Sequence, residues 1–174
     1  MIELCGIPLI EYTIRAAKKS NFLSKFLVSS DSDEIIEYCR KANVSAPFKR
    51  PSNLSNDIAQ SADVVLHAVS FLESNNEHYD AVMLLQPTNP MRTAEMIDSA
   101  IIKFRNERTE GIISLVDVEA NHPQRMYTLN ENFYMKPVIP SEDPMVPRQK
   151  LPKIFIRSGD IYLISIKELK LRKS

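Results

Sequence analysis

The stretch "AVMLLQPTNPMRT", residues 81–93, decides the fold. Its first five residues are apolar without interruption, as expected of a strand buried on both faces. The run stops at an amide, two prolines, a hydroxyl and an arginine, and helical periodicity begins at once in "TAEMIDSAIIKFRNE", residues 93–107. Polar groups gathered where a sheet strand gives way to a helix are a usual place for a site. Pro87 and Pro90 restrict the loop backbone, so Gln86, Thr88, Asn89 and Arg92 are presented rigidly. The plainer reading is a connecting turn in which Thr93 caps the following helix.

Working outward, the same alternation continues on both sides. Ile10, Ile14 and Ala17 recur at helical spacing, predicting a helix over about 8–20 with Pro8 in its first turn. "KFLVSS" at 25–30 reads as a strand, and "DSDEIIEYCRKAN" after it as a helix, acidic at its start and basic at its end. "SADVVLHAVSFLES" at 61–74 is a helix with a broad apolar face, on which His67 is expected to pack against the sheet. "GIISLVDV" from Gly111 gives a further strand. Strands separated by helices predict an α/β domain with a parallel sheet covered on both faces.

The texture changes after Glu119, because six of the eleven prolines fall between 123 and 152 and exclude continuous helix there. "RMYTL" and "FYMKPVI" read as a hairpin, and the excursion at 119–153 has the character of a lid or subunit contact. "KIFI" and "IYLI", broken by "RSGD", return to strand chemistry before a short helix in "KELKLRKS".

With 174 residues, 44% hydrophobic and 25% charged, the chain suits one globular domain. Its 22 basic and 22 acidic residues cancel, which argues against nucleic acid as a partner. No apolar stretch has the length of a membrane span, and no signal-peptide pattern opens the chain. Cys5 and Cys39 lack metal-ligand spacing and read as free thiols of a reducing compartment, pointing to the cytoplasm.

Seven motifs in one order then carry a resemblance. "GIPLIEYTIRAA" at 6–17, "VSSDSDEI" at 28–35, "FKRPSNLSNDIAQSADVVLHAV" at 48–69, "LLQPTNPMRT" at 84–93, "NHP" at 121–123, "PRQKLP" at 147–152 and "SGDIYLI" at 158–164 together resemble the acylneuraminate cytidylyltransferases, the CMP-sialic acid synthetase family. The resemblance implies a Rossmann-like nucleotidyltransferase, a three-layer α/β/α sandwich with a small proline-rich dimerisation excursion. It implies transfer of CMP from CTP to a nonulosonic acid with release of pyrophosphate, Mg²⁺ as the cation, and a homodimer. It sets Arg50 and Ser61 near the cytidine, with Asp57 shaping the same loop. Gln86 is implied to bond the acceptor sugar, with Arg92 holding its loop. Arg148 and Gln149 fall in the "RQ-LP" motif, where a guanidinium suits a sugar carboxylate, and Tyr162 is implied as a wall of the sugar pocket. Each has a bland counterpart: Arg50 as a loop arginine, Ser61 as a helix N-cap, Tyr162 as core. His122 matches one of two family histidines and is given no catalytic role.

The resemblance also has departures. The family opens on a strand and a phosphate-cradling loop of the type "IPARGGSKGIPxKN", and Met1 falls just after the matching point; its acidic metal ligands lie in a "DIDT"-like segment, which the sequence does not contain. The chain is therefore expected to be short of the family at both ends, with no metal ligands of its own, and poorly soluble by itself. Asp160 stands where the family carries alanine, and a carboxylate there repels an anionic sugar unless it is paired. A second reading follows from these gaps: a non-catalytic sugar- or nucleotide-binding dimerising module. A third is a nucleotidyltransferase for another sugar acid.

Overall fold

The computed structural model describes residues 1–140 and 146–172. Pro144, one of the excursion's prolines, lies outside them. The chain divides into two units: residues 1–113 with 159–174, and residues 114–158.

In the first unit, a tight hairpin joins β1 (Glu3–Leu4) to β2 (Ile7–Pro8). Its central residues Cys5 and Gly6 both have positive φ, 51° and 73°, the geometry that matches a two-residue turn to strand twist. Sequence reading missed this hairpin, because Pro8 had been placed inside the next helix. Pro8 instead precedes α1 (Leu9–Lys19) as its N-cap, and Lys18 and Lys19 lie at the helix's negative end.

Helix α2 (Asp33–Lys41) starts where the Ser32 hydroxyl accepts from the Ile35 amide. Helix α3 (Ser61–Ser74) covers the expected segment, but its N-cap is Gln60, with no side-chain cap bond, so Ser61 is its first helical residue rather than the cap. Strand β3 (Ala81–Leu84) leads through the proline loop to α4 (Ala94–Glu107), where Thr93 caps as expected by accepting from the Met96 amide. Arg108, at φ 49°, ends that helix. Strand β4 (Gly111–Asp117) follows. Three further strands and a helix complete the chain: β5 (Tyr127–Leu129), β6 (Met135–Pro137), β7 (Phe155–Ser165) and α5 (Ile166–Leu171).

Two corrections concern the sheet. Its order is β3-β7-β4, and β7 runs antiparallel to β3, with Ala81 opposite Ser165 and Leu84 opposite Tyr162. The all-parallel expectation fails because helix-strand alternation reports connections, not the direction of the strand that lands in the middle. "KIFI" and "IYLI" form one strand, not two; Gly159 at φ 84° absorbs the irregularity between them. Residues 25–30 are extended yet join no ladder, apart from a single parallel bridge, Ser30 to Lys49.

Period-two burial on β7 puts Ile161 and Leu163 into a core with Ala16 of α1 and Ile97 and Ala100 of α4. Helices α3 and α5 pack on each other and on β3. A second cluster joins Ile14, Cys39 and Val44. Both cysteines are free; Cys39 is fully buried, and burial pushes its thiol pKa up, which makes it inert. His67 meets the Phe48 ring edge-on at 4.7 Å, so its aromatic neighbour comes from the 44–50 segment. Among the described residues no helix is long and apolar enough to cross a membrane.

The second unit contains the expected hairpin, β5 antiparallel to β6. The Asn130 side chain closes it by accepting from the amides of Asn132 and Tyr134. His122 is buried at 4% exposure; its Nδ1 accepts from the Gln124 amide, which leaves Nε2 to donate to the Pro152 carbonyl at 3.1 Å. That bond ties the two ends of the proline-rich segment.

Candidate active site

The proline loop after β3 is held from within by one side chain. Arg92 is 4% exposed, and its guanidinium donates from Nε to the Asp160 carbonyl at 2.6 Å. One terminal nitrogen donates to Thr13 Oγ1 at 3.0 Å and the other to the Gln86 carbonyl at 2.8 Å. Three elements, α1, the loop and β7, thus meet on one fork. Burial lowers the Arg92 pKa and the nearby Asp160 carboxylate opposes this; an arginine stays charged regardless.

Asp160, the residue expected to disturb an anionic sugar, is engaged. Its Oδ1 accepts from Asn89 Nδ2 at 3.0 Å. Gly159 beside it leaves this contact unhindered: a Cβ there would lie 3.3 Å from Asn89 Nδ2, so the amide would have to give by a few tenths of an ångström. Gly159→Ala is therefore expected to cost about 2 kcal/mol, from the positive φ and the displaced Asn89 together. Urea unfolding measures it, and an unchanged midpoint would refute the argument.

Arg50 occupies a second polar cluster. Its side chain is mostly covered, donating from Nε to Ser55 Oγ at 3.1 Å and from a terminal nitrogen to Asp31 Oδ1 at 3.0 Å, while its backbone amide donates to the Ser30 carbonyl. Asp57 is exposed on the loop just beyond.

A trough of about 950 Å³ runs through the first unit, and Arg50, Ser61 and Gln86 all line it together with Thr13, Ser30, Asp31 and Ser55. Asp57, Arg92 and Tyr162 do not; Tyr162 is half-buried on β7 opposite Leu84. Arg148 and Gln149 belong to the second unit, in the 3₁₀ turn Arg148–Lys150; Gln149 is exposed, and the Arg148 side chain lies outside the described residues. Sequence reasoning missed Thr13 and Asp31. Asp31 was open to detection, since it sits in the "VSSDSDEI" turn; Thr13 on its helix carried no signal.

Among the described residues no three His, Cys, Asp or Glu side chains stand together to enclose a metal ion. Two carboxylates beside the candidate residues have other partners: Asp31 binds Arg50 and Asp160 binds Asn89. Neither of these carboxylates is grouped with others into a Mg²⁺ site among the described residues.

The family model described as cytidylyltransferase matches residues 1–142. A pseudaminic acid cytidylyltransferase of Campylobacter jejuni is 38% identical over 133 residues, 76% of this chain and 56% of that protein. An N-acylneuraminate cytidylyltransferase of Streptococcus agalactiae is 33% identical over 99% of this chain and 40% of its own length. The chain thus spans about half the length of these relatives. The solved structure of a CMP:2-keto-3-deoxy-manno-octonic acid synthetase complexed with CTP superposes with a TM-score of 0.68 at 16% identity, covering 99% of this chain and 69% of that one. At that identity the match bears on the fold, which is that of a nucleotidyltransferase.

Proposed function

Because this chain belongs to the cytidylyltransferase family, we propose that it carries the nucleotide and acceptor side of an enzyme that transfers CMP from CTP to a sialic-acid-like nonulosonic acid. In that reaction the anomeric hydroxyl oxygen of the sugar bonds to the α-phosphorus, the bond from that phosphorus to the β-phosphate bridging oxygen breaks, the hydroxyl proton is lost, and pyrophosphate leaves. CTP enters as its Mg²⁺ complex, the cation travelling with the substrate. The protein's task is largely to position and to neutralise.

The observation carrying this reading is the trough that Arg50, Ser61 and Gln86 share, although they are spread over the sequence. In the proposal Arg50 and Ser61 receive the nucleotide, with Asp57 shaping the loop. Gln86 offers its amide to the acceptor, and Arg92 acts as a positioning residue through the loop it holds. Tyr162 stands behind as packing, and the guanidinium of Arg148 and the amide of Gln149 are groups of the kind that bind a sugar carboxylate. The acceptor class rests on the relatives, whose names specify pseudaminic and N-acylneuraminic acids.

The chain spans 56% and 40% of those relatives, so catalysis is proposed for a version extended to their length. The 174-residue chain alone is expected to release no pyrophosphate from CTP and a nonulosonic acid. The extended version should release it, and its failure to do so would favour the binding-module reading, which the short span also supports. In the extended version, Arg50→Ala should raise KM for CTP roughly 10- to 100-fold through loss of charge-assisted bonds. Gln86→Ala should instead raise KM for the sugar acid. Steady-state kinetics separates them, and an identical pattern in both variants would contradict the assignment.

We further propose a homodimer through the hairpin of the second unit, in the reducing cytoplasm. Phe133, Tyr134 and Met135 there are 81%, 73% and 70% exposed, more apolar surface than a lone hairpin normally offers to water. Light scattering at micromolar concentration should give twice the chain mass, and Phe133→Asp with Met135→Asp should return it to one.

A further inference from the structure

The proline loop closes on itself. The Asn89 backbone amide donates to the Gln86 carbonyl and the Arg92 backbone amide to the Asn89 carbonyl. These bonds make two successive β-turns, 86–89 and 89–92, with Pro87 and Pro90 at their second positions. Asn89 is the joint between the turns. The Arg92 guanidinium then returns to the Gln86 carbonyl, completing a ring that begins and ends on Gln86. Both turn bonds are 3.4 Å long, at the weak end of the range, so the turns alone hold the joint loosely.

One residue of β7 fastens this ring to the sheet. The ladder pairs Leu84 with Tyr162, and the same register continued by two residues sets Gln86 opposite Asp160. Strand β3 has ended by then, and the Arg92 guanidinium bridges the two facing carbonyls, at 2.8 Å to Gln86 and 2.6 Å to Asp160. The strands are thereby propped apart at Gln86. The Asp160 carboxylate meanwhile takes the joint itself, accepting from Asn89 Nδ2 at 3.0 Å. Its charge also favours the charged form of Arg92. Carbonyl and carboxylate of a single residue thus secure both turns, although Asp160 does not line the trough and Gln86 does.

We propose that Asp160 is a positioning residue for the sugar acid: its carboxylate locks the Asn89 joint and so fixes the backbone from which the Gln86 amide is presented. The inference rests on the role proposed above for Gln86. A clamp needs an oxygen at residue 160 that accepts from Asn89, whereas a carboxylate acting on the anionic sugar needs its charge. Different substitutions separate the two.

In the version extended to the relatives' length, Asp160→Ala should lower kcat/KM for the sugar acid about 10-fold, as a slight misplacement of Gln86 requires, and leave KM for CTP within about 2-fold. Asp160→Asn, which keeps an accepting oxygen, should recover most of that loss. Asn89→Asp should lose as much as Asp160→Ala, since two carboxylates then face each other. Asn89→Asp together with Asp160→Asn reverses donor and acceptor and should regain activity, a coupling that two independent residues do not show. Nuclear magnetic relaxation of the backbone amides of Gln86, Thr88, Asn89 and Met91 gives a second readout, which needs no turnover. Their order parameters should fall from about 0.85 toward 0.6 in Asp160→Ala while those of α4 hold.

Unchanged loop order in Asp160→Ala overturns the proposal, as does an equal rise in KM for both substrates, which means general loosening. So does failure of the reversed pair to recover, or a KM for the sugar acid below the parent's in Asp160→Asn, which makes the charge the active feature. A parent that turns over no sugar acid defeats the proposed reaction instead, and the relaxation readout then decides the clamp by itself.

Discussion

Arg92→Ala is expected to destabilise the first unit by about 4 kcal/mol, the range found when one partner of a buried charged network is removed. The substitution deletes three hydrogen bonds at once and leaves the carbonyls of Asp160 and Gln86 and the Thr13 hydroxyl facing a cavity. Arg92→Lys should recover less than half of the loss, because an ammonium on a single stem cannot donate in three directions from one plane. An arginine keeps its charge throughout the accessible range, so the deficit of Arg92→Ala should be constant between about pH 5 and 9. Urea unfolding at several pH values measures it; a deficit under about 1 kcal/mol would show that the fork is incidental.

Asp98→Ala should cost about 3 kcal/mol, with a different pH signature. Asp98 of α4 is 9% exposed and receives the Ser20 hydroxyl, the amides of Asn21 and Phe22, and the Asn21 side chain, so it caps the exit of α1. Burial raises its pKa, but the Ser20 hydroxyl and the Asn21 and Phe22 amides outweigh that and hold the carboxyl below its ordinary value. A folded pKa below the unfolded one gives stability that is present above the unfolded value and lost as pH falls through the folded value. The gap between the parent chain and Asp98→Ala should therefore be full at neutral pH and shrink below about pH 4. Asp98→Asn, which keeps one acceptor, should fall between them without the acid dependence. A gap that widens on acidification would reverse the assignment.

The helices were legible because their signals are local. Segment 61–74 carried its apolar face openly, and Thr93 announced α4 three residues ahead of the amide it caps. The sheet was less so. That β7 would enter the middle and run against β3 depends on pairing between residues some 80 positions apart, as Ala81 with Ser165, and no window of sequence reports it. The site divides in the same way. Gln86 and Arg92 were found because prolines mark their loop, whereas two of the groups that Arg92 binds, on Thr13 and Asp160, are 79 and 68 residues distant. Asp160 was suspected on charge alone, and Asn89, which donates to it, stood in plain view in the proline loop.

The position of β7 has a consequence for synthesis on the ribosome. It is the middle strand of three, yet it is translated after both of its neighbours, and it supplies Ile161 and Leu163 to a core shared with α1 and α4. Strands β3 and β4 cannot find their shared neighbour until residue 165 has emerged. At roughly 5–20 residues per second, the first unit spends several seconds with its helices made and its sheet unjoined. In that interval "AVMLL" is an exposed apolar strand without a partner, so the nascent chain, rather than the folded one, is the form most in need of a chaperone.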